Sequence, residues 1–192
     1  MVGYKWVFKN KVNVDGSFQR HKAKLAAKGF NQAEGFYYNE TFSPVVKPTI
    51  IRVVLTLAVS SNWPIHQIDI VNDFLNGDLE EIVYMQQPLV KGNSNLVCKL
   101  YKATYGLKQA PRSWYHKLSS TLQKLGFSST KSDSSCFVLF GNSSTLFVLV
   151  YVDNIIITWT SSKAINSLAS LLRNSFSLKD LGPLHYLLLK LL

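Results

Sequence analysis

The sequence predicts an α+β domain, and three observations carry that reading. Alternating apolar and polar residues mark short strands over 4–9, 18–27 and 65–70. Helical periodicity marks two convincing helices, over Thr49–Asn62 and Pro111–Leu125. Strands and helices then mix without a regular βαβ rhythm, which argues for an α+β domain.

Each element has a local reason. Residues 4–9 (YKWVFK) are aromatic and alternating, Asp15-Gly16 is a hairpin turn signal, and Phe18 to Ala27 alternates basic and apolar residues as the return strand. Residues 31–47 carry Gly, Asn and Pro and read as irregular. In the first helix Ile50, Val53, Val54, Leu57 and Ala58 recur on one side, with Thr49 as its cap. Ile65–Ile70 alternates as a strand that ends near Asp69, and 73–79 reads as a helical turn or loop. Short strands are expected at Val83–Met85 and Leu96–Leu100. In the second helix Pro111 suits the first turn, Trp114, Leu118, Leu122 and Leu125 share a face, and Gly126 ends it. Strands at Cys136–Phe140, Leu146–Val152 and Ile155–Trp159 follow, with Asp153-Asn154 as the turn between the last two, and then a helix over Ser162–Phe176. Lys179-Asp180-Leu181-Gly182 reads as a structural turn.

With 192 residues, 47% of them hydrophobic, the chain can bury a sizeable core. Nine Tyr, eleven Phe and four Trp exclude intrinsic disorder. The most apolar run, Leu146–Ile157, is broken by Asp153-Asn154, so no membrane-spanning segment is expected, and Lys5 and Lys9 interrupt any leader-like stretch. Cys98 and Cys136 stand in no metal-ligand pattern and read as core thiols of a reducing compartment. His66 and His116 lack partners at ligand spacing and read as structural, and Trp114 and Tyr115 as packing residues.

The formal net charge of +10 is unevenly spread. Arg20, Lys22, Lys24 and Lys28 fall between Asp15 and Glu34 with no acid among them, and 82–132 holds eight Lys or Arg and no acid. Asp69, Asp73, Asp78, Glu80 and Glu81 form an acidic island. A basic surface around a small acidic site suits a protein that grips a phosphate backbone and holds cations, although a merely solvated basic surface has the same composition.

Two acids stand in strand context. Asp69 ends an apolar strand, and Asp153 sits at the tip of a hairpin with buried arms. Carboxylates at the ends of two neighbouring strands can converge at a sheet edge. There they can bind Mg²⁺, and two such ions about 3.5–4 Å apart serve phosphoryl transfer. On the pattern alone, plain turn chemistry is the better explanation of Asp153-Asn154.

Longer motifs tip that balance. The runs WVFKNKVNVDGSFQRHKAKLAAKGFNQAEGFYYNETFSPVV, IHQIDIVNDFLNGDLEEIVYMQQP, CKLYKATYGLKQAPRSWYHKL, LVYVDNIII and FSLKDLGPLHYLL closely resemble, in order, the reverse transcriptase of copia-type LTR retrotransposons. The resemblance covers nearly the whole chain. It implies a right-hand polymerase fold represented by fingers and palm, with roughly 1–64 and 82–125 fingers-like and 65–81 and 126–192 palm-like. It implies template-directed DNA synthesis with two Mg²⁺ (or Mn²⁺) ions, an RNA or DNA template-primer and dNTPs as substrates, and the remaining Pol polyprotein parts (thumb, connection, RNase H, integrase) as partners. By family analogy the protein acts in the cytoplasm, in virus-like particles, or in the nucleus.

The resemblance also implies roles. Asp69 and Asp153 match the family's metal-binding aspartates, and position 154 the acid that follows the second. Phe74 matches the aromatic under the incoming sugar, with Ile70 and Asp73 beside the nucleotide. Tyr105, Gly106, Lys108 and Gln109 fall in the YGLKQAP segment lining the nucleotide and template pocket, and Tyr151 and Lys108 match template-primer positions. Arg20, Lys22 and Lys24 lie on the fingers hairpin that holds the triphosphate, and alternation puts all three on one face.

The chain departs from the family pattern at several places. Asn154 replaces the second aspartate of Tyr-Val-Asp-Asp, which removes a charge from the catalytic set. Asp73 stands where a small residue is usual, so a carboxylate is expected to repel a triphosphate or crowd its sugar. Trp159 replaces a small residue, the loop between Pro88 and Val97 is short, and Leu187–Leu192 replaces the usual next strand as an apolar tail. The expectation is an impaired polymerase by ancestry. The alternative is a catalytically inactive remnant that only binds nucleic acid through its basic surface.

Overall fold

The computed structural model describes residues 1–88, 96–141, 144–160 and 164–184. The short loop after Pro88, the expected helix start at Ser162 and the Leu187–Leu192 tail lie outside the described residues. Among the described residues the architecture is mixed, with three α-helices and three antiparallel sheets.

The chain divides into two compact units, Met1–Phe42 with Phe74–Trp114 and Ser43–Asp73 with Tyr115–Leu192. The unit boundaries fall after residues 42, 73 and 114.

In the first unit, β1 (Tyr4–Val12) and β2 (Phe18–Ala27) form the expected hairpin. Gly16 takes φ +82°, a left-handed conformation that glycine adopts without a Cβ clash. Asp15 Oδ1 accepts hydrogen bonds from the Ser17 N–H and hydroxyl, which closes the tip. The arms are exposed except near their base, where Ala26 and Ala27 are buried. β4 (Asp78–Gln86) and β5 (Val97–Lys102) form the second sheet. β4 is longer than the Val83–Met85 strand expected, because Glu81 interrupts the inward positions Leu79, Val83 and Met85 while the apolar Ile82 faces solvent. Val2, Ala27, Val83, Met85, Ala103, Leu107 and Ala110 make this unit's core.

The second unit is built on a six-stranded sheet of order β10-β3-β9-β8-β7-β6. Its strands are β3 (Ile65–Ile70), β6 (Ser128–Ser129), β7 (Cys136–Phe140), β8 (Thr145–Tyr151), β9 (Asn154–Trp159) and β10 (Leu178–Pro183). The central pair β8–β9 is apolar on both faces, so Val148, Leu149, Ile155, Ile156 and Ile157 are all buried. β10 corrects the expected Lys179–Gly182 turn. Its Asp-Leu-Gly-Pro composition is tolerated because it is an edge strand whose pairing with β3 shifts between Asp180 and Gly182.

Helix α1 (Pro48–Ser60) covers one face of the sheet, burying Ile51, Val54 and Ala58. Thr49 is not its cap. Lys47 occupies that position in extended conformation, and Pro48 takes the first turn, where its missing N–H costs nothing. Helix α2 (Ala110–Lys124) buries Trp114, Leu118 and Leu122 at four-residue spacing. Helix α3 (Ala164–Arg173) packs against β9, with Leu168, Ala169 and Leu172 buried. Cys136 is buried, and desolvation pushes its thiol pKa up, as expected of a core thiol, while Cys98 is only half-buried.

Candidate nucleotidyl-transfer site

The sheet of the second unit brings the two strand-end acids together. β3 and β9 run antiparallel with Asp69 opposite Asn154. The Ile70 N–H donates to the Asp153 carbonyl oxygen at 2.8 Å, which ties the hairpin tip to the end of β3. The turn itself is Val152–Asp153, one residue earlier than the sequence indicated, so Asn154 opens β9 and Val152 lies outside β8. Val152 has φ +57°. A β-branched residue rarely adopts this conformation, and such strain concentrates at functional turns.

Asp69, Asp153 and Asn154 are all half-buried. Asn154 Nδ2 donates to Asp153 Oδ1 at 3.0 Å, and Gln67 Nε2 donates to Asn154 Oδ1 at 2.9 Å. Gln67 precedes Asp69 by two residues on the same strand, so both project from the same face. The amide of Asn154 therefore has its only oxygen engaged by Gln67 and its nitrogen aimed at Asp153.

This donor set suits a hard cation, because Asp69 and Asp153 supply carboxylate oxygens. Asn154 supplies no charge, and its one amide oxygen already accepts from Gln67. Among the described residues no group of three or more His, Cys, Asp or Glu could hold a metal ion. Lys179 of β10 pairs with Asp69 from the other side, a cation that the sequence reading left in a turn.

Ile70 is buried, and Tyr151 packs beside Ile51, Val54, Leu149 and Ile156. Asp73 is only 5% exposed, so its carboxylate is enclosed by protein.

Asp133, which sequence reasoning missed, sets the position of α1. It is buried, and its two oxygens accept from the N–H groups of Lys47 (2.7 Å) and Ser135 (2.9 Å). The carboxylate thus holds the N-terminal cap of the helix that covers the Asn154 face of the sheet. On the opposite face His66 is indeed structural, hydrogen-bonded to Asp180, which Arg173 also approaches. Burial works to raise the Asp180 pKa, but the Gly182 N–H, His66 and Arg173 together outweigh it and hold the carboxyl below its ordinary value.

The first unit assembles a second group of sequence-matched residues. Lys24 Nζ lies 3.9 Å from the centroid of the Tyr105 ring, and Tyr105 meets Phe74 edge-on at 5.4 Å. The Ala27 N–H donates to the Tyr105 carbonyl at 2.7 Å. Gly106 (φ +89°) lets the chains meet there, because a Cβ on it would stand 2.1 Å from the Ala27 carbonyl oxygen. Pairing of β1 and β2 sets Arg20, Lys22 and Lys24 opposite Lys11, Lys9 and Val7. Lys108 is not simply solvated, since its Nζ donates to the Gln32 carbonyl and the Tyr38 hydroxyl. Gln109 is buried; its Oε1 accepts from Gln32, and its Nε2 donates to the Tyr37 carbonyl.

Comparison with known proteins gives a consistent result. The family described as reverse transcriptase (RNA-dependent DNA polymerase) matches residues 1–190. The retrovirus-related Pol polyprotein from transposon RE1 of Arabidopsis thaliana is 50% identical over 191 residues, 98% of this chain and 13% of that polyprotein. The polyprotein from transposon TNT 1-94 of Nicotiana tabacum is 44% identical over 188 residues, 96% of this chain and 14% of its own length. The chain thus spans about one-seventh of these relatives or slightly less. No solved structure matches it. The chain belongs to the reverse transcriptase (RNA-dependent DNA polymerase) family, in the form carried by copia-type retrotransposon Pol polyproteins.

Proposed function

We propose that this chain is a reverse transcriptase domain whose nucleotidyl-transfer site is impaired at Asn154 and which still binds template-primer nucleic acid through its basic surface. The observation that carries the reading is the hydrogen-bonded chain Gln67–Asn154–Asp153, which sits where a third acid would complete the set. In this reading the second unit acts as palm and the first as fingers.

Asp69 and Asp153 would hold the divalent cation, Mg²⁺ or Mn²⁺. When bound, such an ion stabilises charge on the oxygens of the reacting phosphate. The protein's own residues have separate tasks. Asp69 and Asp153 supply negative charge from strand ends that are fixed by sheet pairing. Lys24, with Arg20 and Lys22 on the same strand, supplies positive charge for a triphosphate. Tyr105 and Phe74 supply flat apolar area for the sugar and base of a dNTP. Gln109 is enclosed, so it acts by fixing residues 32–37 beside the YGLKQAP segment. Asp73 is enclosed as well, and of the departures from the family pattern Asn154 is the one that removes a charge beside Asp153. Losing one electrostatic group at such a site typically raises the barrier by ~2.7–4 kcal/mol.

Two assays test the two halves of the proposal. Anisotropy titration of a labelled template-primer should give an affinity that falls steeply with salt, as phosphate contacts require. Primer extension should be very slow in the native chain and should rise in Asn154→Asp. A chain that binds no template-primer at low salt contradicts the first half, and efficient extension by the native chain contradicts the second.

A further inference from the structure

The hairpin β1–β2 sorts its side chains with unusual strictness. Pairing places Lys5, Lys9 and Lys11 on the same face as Arg20, Lys22 and Lys24, and neither strand contains an acid. The opposite face carries Trp6 and Phe8 opposite Leu25 and Ala23, with His21 and Phe18 nearer the tip. These rings are not covered. Trp6 is 49% exposed, Phe8 76% and Phe18 56%. They are held in pairs, Trp6 with Phe8 at 6.4 Å and 23° between planes, and Phe18 with His21 at 4.7 Å.

Exposed aromatics on an otherwise solvated ribbon need a partner with flat apolar surface. The charge of the ribbon says which partner. A two-stranded ribbon is one residue layer thick, so six cations on one face lie within roughly a Debye length (~8 Å) of a phosphate laid along the other. A polyanion with unpaired bases satisfies both requirements, since bases stack on aromatic rings and phosphates are drawn to the cations. A duplex offers phosphates only, because its bases are already stacked on one another.

We infer that the Trp6–Phe8–Phe18 face of the hairpin is a stacking platform for single-stranded nucleic acid, separate from the Lys24–Tyr105 contact at the hairpin base. The inference rests on the nucleic-acid reading above and adds a surface and a strand preference to it. Recognition there is sequence-tolerant, because every base has a π-face.

The test is anisotropy titration of the full chain with a labelled thymidine 20-mer and with a duplex of equal length. Three variants are compared: Trp6→Ala with Phe8→Ala, Trp6→Leu with Phe8→Leu, and Lys9→Ala with Lys22→Ala. Both ring positions are exposed, and circular dichroism melts verify that each variant folds. The expected result is that both ring-removing variants lose at least tenfold in affinity for the single strand and less than twofold for the duplex. The lysine variant loses affinity for both and has a shallower salt dependence. Unchanged single-strand affinity in the alanine variant overturns the platform, and so does full affinity in the leucine variant, which keeps apolar area without rings. A native chain that ignores the single strand also overturns it. So does self-association that Trp6→Ala with Phe8→Ala abolishes, because that gives the face to a second copy. None of these outcomes bears on primer extension by Asn154→Asp, so the catalytic reading stands or falls separately.

Discussion

Asn154 donates to Asp153 across adjacent positions of one hairpin, its Nδ2 3.0 Å from Asp153 Oδ1. The contact does two things to the acidic site. It occupies a lone pair of the Asp153 carboxylate, and the amide brings no charge to position 154. Gln67 completes the arrangement by holding the remaining oxygen of Asn154 at 2.9 Å. The amide is therefore held on both sides by the sheet's own side chains, at the position where the proposed function would need an acid. Under the proposed function, Asn154 keeps the hydrogen bonds of the turn while withholding a charge from the site.

The Val152–Asp153 turn stores strain. A left-handed backbone costs a residue with a Cβ roughly 1–2 kcal/mol, whereas glycine pays only its extra chain entropy of about 0.5–1 kcal/mol. With Val152 at φ +57°, Val152→Gly should stabilise the fold by about 0.5–1 kcal/mol, read as a higher urea midpoint. A fall in the midpoint would mean that Val152 packing outweighs the backbone strain.

Asp133 should matter to stability as much as any apolar core residue. Its carboxylate accepts from two N–H groups, those of Lys47 and Ser135. Asp133→Ala leaves both without that acceptor and should cost about 2–4 kcal/mol. Asp133→Asn keeps one oxygen and should cost about half as much. Equal midpoints for the native chain and the alanine variant would show that solvent replaces the carboxylate.

Acid should loosen the β3–β10 edge through Asp180. Its folded pKa lies below the unfolded value, because the Gly182 N–H, His66 and Arg173 outweigh the opposing effect of burial. A depressed carboxyl contributes stability above the unfolded pKa of about 3.9 and loses it as pH falls through the lower folded value. Urea midpoints between pH 5 and 2 should therefore drop more in the native chain than in Asp180→Asn. Parallel profiles would remove Asp180 from the acid response.

Much of this was legible in the sequence, for identifiable reasons. β2 and β3 have the bounds that alternation and turn residues indicate, and Asp69 and Asp153 are brought to neighbouring strand ends. The turn was misplaced because Val152 has a strand-former's side chain in a turn-former's conformation, a local contradiction of the kind found at functional sites. β10 was missed because Asp, Gly and Pro resemble a turn until β3 supplies the pairing. Gln67 and Asp133 were missed for a different reason. Their partners lie 87 and 86 residues away, and a lone Gln or Asp carries no signal of so distant a contact. For Gln67 one clue existed, its i−2 spacing from Asp69 on an alternating strand.

The most direct measurement is primer extension on an RNA template, with Mg²⁺ and then Mn²⁺, comparing the native chain with Asn154→Asp and with Asn154→Asp carrying Asp69→Ala. One restored carboxylate worth ~2.7–4 kcal/mol corresponds to roughly 10²–10³ in rate. The expected result is a gain of that size in Asn154→Asp and its disappearance when Asp69 is removed. Extension by the native chain as fast as by Asn154→Asp would contradict it, because the amide at position 154 would then be no lesion at all.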